Sequence, residues 1–128
     1  CMHLNRITLL VLDIEEAKQF FINAFAFNLI EDCLVSENKR IVRIAANKNG
    51  TTISLVTPKS GDESLVGRQS GKRVFAFVDT KDLDIDIARF REKNVAITDG
   101  PRHEDFGRCV LVRDIAGNTW EFVERQDI

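Results

Sequence analysis

The imidazole and thiol side chains that most often anchor a catalytic metal are few in this chain and scattered. The histidines are His3, close to one end, and His103, in a polar stretch after Pro101. The cysteines Cys1, Cys33 and Cys109 show no Cys-x-x-Cys spacing. A catalytic zinc-type centre needs about three protein ligands from His, Cys, Asp and Glu, and no His pair here stands at ligand spacing. No metal and no other cofactor is therefore expected. What remains for chemistry is a set of charged and aromatic residues on strand-like runs. Alternation along a strand puts Arg6, Thr8 and Leu10 on one face, opposite Ile7, Leu9 and Val11. The same rule groups Arg73 with Phe75 and Phe77, and Thr119 with Glu121 and Val123. Guanidinium groups stay charged and present a fixed fork that suits carboxylate or phosphate. The two phenylalanines offer a flat apolar wall or ordinary sheet packing. Glu121 is the one candidate for general-base work.

These residues sit in a pattern written twice. Ile7 to Leu12 is an apolar run closed by Asp13 and followed by a helix-like stretch; Val74 to Val78, closed by Asp79, opens the same succession. A repeat longer than about 50 residues indicates a duplicated module rather than a solenoid. The spacing predicts strands at 6–12, 28–36, 40–46 and 51–56, with a helix over 15–26 after an Asp13 cap. It predicts strands again at 73–78, 95–98, 108–113 and 119–124, a helix over 83–92, and a loop over 99–107. Residues 5–57 form module one, 58–72 a polar linker bearing Gly61, Gly67 and Gly71, and 73–125 module two, within a single domain of 128 residues. The expected class is α+β: two βαβββ modules forming curved mixed sheets around a cleft, helices on the outer face. Phe20, Phe21, Phe25, Trp120 and Phe122 are expected in the core, and Cys109 as a small buried hydrophobe.

The bulk numbers narrow the partners. Eighteen basic against twenty acidic residues give a net charge of −2, with no electrostatic footprint for nucleic acid. No apolar run approaches the roughly 20 residues of a membrane span. An odd number of unpaired cysteines suits a reducing, cytoplasmic setting.

Two modules in this order, closed by Asp114-Ile115-Ala116-Gly117-Asn118-Thr119-Trp120-Glu121-Phe122, resemble the vicinal oxygen chelate superfamily. That group includes glyoxalase I, bleomycin-resistance proteins, extradiol dioxygenases and fosfomycin-resistance enzymes. Members typically close with Asp-Pro-Asp-Gly-Asn; here Ile115 and Ala116 replace the proline and second aspartate. The resemblance implies four ligand positions in metal-dependent members. Counted back from Asp13, the first falls on Arg6 and its match in the second module on Arg73, while the hairpin strands offer Ser54 and Glu121. Three of the four cannot bind a divalent cation.

The resemblance places these residues on the concave side, where two readings stand together. Arg6, Arg73 and Glu121 form a structural ion pair, or the excess cation takes an anionic ligand. The expected function is a metal-free binder, near the bleomycin-resistance branch, that sequesters a small anionic or ring-bearing molecule. Its ligand-binding set is Arg6, Thr8, Ser54, Arg73, Phe75, Phe77 and Glu121, with Arg43 a further candidate. Bleomycin itself, a cation, fits a basic cleft poorly. The alternatives are a lyase or isomerase with Glu121 as base, and a metal-dependent glyoxalase or dioxygenase, which the ligand positions disfavour. A homodimer follows from the resemblance alone.

Overall fold

The computed structural model describes residues 1–125. Module one runs β1 (Arg6–Leu10), α1 (Ile14–Asn23), β2 (Asn28–Ser36), β3 (Lys39–Ala45) and β4 (Thr52–Val56). Module two runs β5 (Ala76–Asp79), α2 (Leu83–Glu92), β6 (Ile97–Glu104), β7 (Gly107–Arg113) and β8 (Thr119–Arg125). The sheets are separate, in the orders β1-β4-β3-β2 and β5-β8-β7-β6. In each, the first strand pairs parallel with the last and the rest are antiparallel. The class is α+β, with two modules of the same plan.

Local chemistry explains the helices. Asp13 is extended and its side chain accepts from the Glu16 N–H at 2.8 Å, while Glu15 and Glu16 suit the positive end of the helix dipole. The helix stops at Asn23, short of the expected 26, because the chain turns back there. Ala26 adopts φ +57 and the Phe27 N–H reaches the Phe21 carbonyl. The cap of α2 is Asp82, whose carboxylate accepts from the Ile85 N–H. Asp79 instead ends β5 and accepts from Arg125. Asp82 is therefore the structural counterpart of Asp13, which aligns Arg6 with Phe75 and Thr8 with Phe77.

The expected loop over 99–107 is largely strand. β6 pairs with β7 across two register shifts, between Ile97 and Asp99 and between Asp99 and Arg102. Pro101 has no N–H to give a ladder, and a sheet edge with bulges is where it fits. The linker carries one short 3-10 turn, Glu63–Leu65.

Helices cover one face of the sheets, and a single buried cluster runs through both modules. Its centre is Trp120 of β8, whose ring lies 5.7 Å from Phe21, 5.4 Å from Phe25 and 5.7 Å from Phe27, centroid to centroid. Phe25 also meets Phe90 of α2 and Phe122 of β8, at 5.7 and 5.2 Å. Phe21 of α1, with Phe25 and Phe27 of the turn that follows it, thus plugs onto the sheet of the other module. Each such ring contributes roughly 1.5–3 kcal/mol by burial. Edge-to-face pairs add about 0.5–1.5 kcal/mol. The closing hairpin is fixed by Asp114, 5% exposed. Its carboxylate accepts from the N–H groups of Ala116, Gly117 and Asn118, from the Asn118 amide and from the Trp120 indole.

Candidate functional site

The sheet faces away from the helices are open, and strand register decides what they display. On module one, Arg6 stands beside Thr52 and Thr8 beside Ser54, and Arg43 stands on the far side of Ser54. Arg43 therefore shares the face with Arg6, Thr8 and Ser54. Its Nε donates to the Thr52 hydroxyl at 3.1 Å and its Nη1 to Glu31 at 2.9 Å. The Arg43 guanidinium holds the Glu31 carboxyl below the usual carboxylate range, with a smaller pull from Arg6. Arg6 itself makes no ion pair among the described residues. It lines a cavity of about 350 Å³ with Thr8, Lys39, Arg40, Ile41 and Ser54. Among the described residues no carboxylate lines that cavity. Arg40 is committed to Asp32 and Glu15, at 2.8 and 2.7 Å, so Arg6 and Lys39 supply its unbalanced charge.

On module two, Phe77 stands beside Glu121, with Leu111 on the other side. Phe77 is 67% exposed, a ring facing open space. Phe75 is half-buried and lies 5.5 Å from Trp120, packed against the core cluster. Arg73 is exposed just before β5. Glu121 is half-buried and has neither a hydrogen bond nor an ion pair among the described residues. The ion pair joining Glu121 to Arg6 or Arg73 is thus not made within one chain. Cys109, 1% exposed, stands in register with Val123; burial pushes its thiol up, and the Glu121 charge adds to this.

The structure therefore brings together Arg6, Thr8 and Ser54 on one face, and Phe77 and Glu121 on the other. Among the described residues no hydrogen bond or ion pair links the two sets. Glu31 was not singled out from sequence. Its partnership with Arg43 depends on the register shift between Leu29 and Glu31, which strand alternation alone does not reveal.

Among the described residues, the positions that the resemblance implies do not supply a metal-ligand set. The positions implied by the resemblance carry Arg6, Ser54, Arg73 (Phe75 when counted from the α2 cap) and Glu121, a single carboxylate. Among the described residues no three His, Cys, Asp or Glu side chains gather to hold one.

Paired βαβββ modules with helices on one face and open sheet surfaces on the other define a fold class. Comparison with known families fixes the relationship. The chain belongs to the Glyoxalase/Bleomycin resistance protein/Dioxygenase superfamily, whose model matches residues 3–122. It is 32% identical over 124 residues to an uncharacterized protein of Shewanella frigidimarina (strain NCIMB 400), covering 94% of this chain and 92% of that one. Among solved structures it resembles TnmS3, an antibiotic binding protein from Streptomyces sp. CB03234. That match has 26% identity, a TM-score of 0.79 and 98% of each chain covered. A glyoxalase/bleomycin resistance protein from the same Streptomyces strain matches with 26% identity and a TM-score of 0.74, over 94% of this chain and 99% of its own.

No helix is long and apolar enough to cross a membrane among the described residues.

Proposed function

We propose that this chain is a metal-free small-molecule-binding protein that sequesters an anionic, ring-bearing ligand. The carrying observation is the electropositive cavity of module one, where, among the described residues, Arg6 is unpaired beside the hydroxyls of Thr8 and Ser54 and no acid lines the walls. A carboxylate or phosphate there gains forked, charge-assisted hydrogen bonds. Phe77, exposed on the second sheet, supplies the stacking surface, with Arg73, Phe75 and Glu121 around it. The antibiotic-binding role of TnmS3 supports the small-molecule reading. The ligand is enclosed in a homodimer, each open face covered by the other copy, because an exposed ring and a half-lined cavity hold a small molecule poorly. Three free cysteines suit the cytoplasm.

Thermal-shift titration with aromatic carboxylates and aromatic phosphates tests this. Stabilisation by at least one, lost in Arg6→Ala and in Phe77→Ala while both variants keep the wild-type midpoint without ligand, is the expected result. Ligands that stabilise both variants as well as the wild type sink the reading.

A second reading has one observation in its favour. The Glu121 carboxylate, between Phe77 and Leu111, has no partner to restrain it, so it can accept a proton from a bound carbon or oxygen acid. Lyase or isomerase turnover abolished by Glu121→Gln would replace sequestration with catalysis.

A further inference from the structure

We propose a second, separate anion site where the linker crosses the closing hairpin, built to take a phosphoryl group. It goes beyond the sequestration reading and shares no lining residue with the Arg6 cavity. A groove of about 370 Å³ is lined there by Arg68, Lys72, Arg113 and Thr119, with Gly67 and Gly117 at its base. Among the described residues no carboxylate lines it. None of the three cations makes an ion pair among the described residues, whereas Arg40, Arg43, Arg89, Arg102 and Arg108 all do. In a chain of net charge −2, three uncompensated cations in one groove mark a local reversal of sign.

The frame around these cations is fixed. Gly67 has φ +78, and a Cβ there would lie 2.2 Å from the Ala116 carbonyl oxygen, so only glycine lets the linker lie on the hairpin. Tight turns follow: Arg68 N–H to Leu65 carbonyl at 2.9 Å, Gly71 N–H to Arg68 carbonyl at 3.1 Å, and Ser70 hydroxyl to Arg73 carbonyl at 2.8 Å. Between them Gln69 ties the linker to β1, accepting from Leu10 N–H at 2.7 Å and donating to Thr8 carbonyl at 3.0 Å. On the other side Arg113 is paired in register with Thr119, and its N–H reaches the Ala96 carbonyl at 3.0 Å. Two guanidinium forks and an ammonium are thus carried on braced backbone rather than on a loose loop. A monocarboxylate would leave most of that charge unbalanced; a phosphate dianion or a diphosphate matches it and uses the forks.

Calorimetric titration of the full chain with inorganic phosphate, pyrophosphate and citrate tests the assignment. Pyrophosphate is expected to bind at one site per chain, more tightly than phosphate or citrate. The double variant Arg68→Gln/Arg113→Gln should weaken it at least tenfold. Arg91→Gln/Lys93→Gln, which removes equal charge from the C-terminal end of α2 and its cap, should change it less than twofold. Absence of pyrophosphate binding overturns the site. So does equal weakening in both double variants, which would mean net charge alone. Citrate binding as tightly as pyrophosphate overturns the phosphoryl class. Every one of these outcomes leaves the aromatic-acid titration of Arg6→Ala unaffected, so the two proposals fail separately.

Discussion

The two modules share strand order, an aspartate cap at the helix start and a helix-side core, yet their open faces differ in kind. Module one displays cations and hydroxyls, with Arg43 tethered to Glu31 and Arg6 free. Module two displays an exposed ring and an acid that has no partner among the described residues, Phe77 beside Glu121. The aspartate caps align Thr8 with Phe77, and strand pairing then aligns Ser54 with Glu121. At every one of these positions the residue type has changed. The inward positions have not changed character: Leu55, Ile53 and Ile44 in one module match Phe122, Trp120 and Val112 in the other as buried apolar groups. Burial constrains the helix-side face of each sheet, while the open face contributes little to folding.

The comparison breaks most severely at the joint between modules. Trp120→Ala removes the ring that receives Phe21, Phe25 and Phe27 and should cost about 3–5 kcal/mol. Urea unfolding measures it, and a loss below about 1 kcal/mol would mean that the modules are stable apart.

The caps sharpen the comparison at a smaller scale. Asp13→Ala should cost about 1 kcal/mol. Asp82→Ala should cost less, because the first turn of α2 is also held by Glu124, which accepts from the Leu83 N–H at 2.8 Å. Equal losses by thermal unfolding would show that Glu124 contributes nothing.

The smallest effect is in pH. Hydrogen bonds from Gln19, Arg40 and Lys18 lower Glu15 from 4.5 to about 2. Arg40, then Lys18, also holds Asp32 well below its usual range. Depressed carboxylates stabilise fully above their ordinary values and lose that contribution as pH falls toward the folded-state value. The melting midpoint should therefore be flat above about pH 5 and fall between 4.5 and 2. Glu15→Gln/Asp32→Asn should flatten that fall more than Asp84→Asn/Glu124→Gln in module two; the opposite order would contradict the network.

The core and the duplication were legible because apolar periodicity reports burial directly. The matching ranges for β2 and α2, and the burial of Phe21, Phe25, Trp120, Phe122 and Cys109, all rest on that signal. β6 was not legible: Asp99 to Glu104 is polar and exposed, so an edge strand there leaves no alternation to read. The equivalence of Asp13 with Asp82 was hidden because Asp79 also follows an apolar run. Arg68 and Lys72 sat in a stretch read only as connection, and their meeting with Arg113 depends on a glycine contact distant in sequence. Of the candidate site, strand parity matches the shared face of Arg6, Thr8 and Ser54, but parity cannot show that Arg73 and Phe75 precede β5, nor that Arg43 is tethered to Glu31.

Gln69 has a consequence beyond the linker it anchors. Its amide satisfies the outward N–H of Leu10 and carbonyl of Thr8, so one side chain imitates an adjoining strand along the rim of the first sheet. A foreign peptide seeking to extend that sheet finds the rim occupied. Unwanted edge-to-edge pairing through β1 is blocked, while β2, at the opposite border of the same sheet, is left as a place where association through backbone pairing can begin.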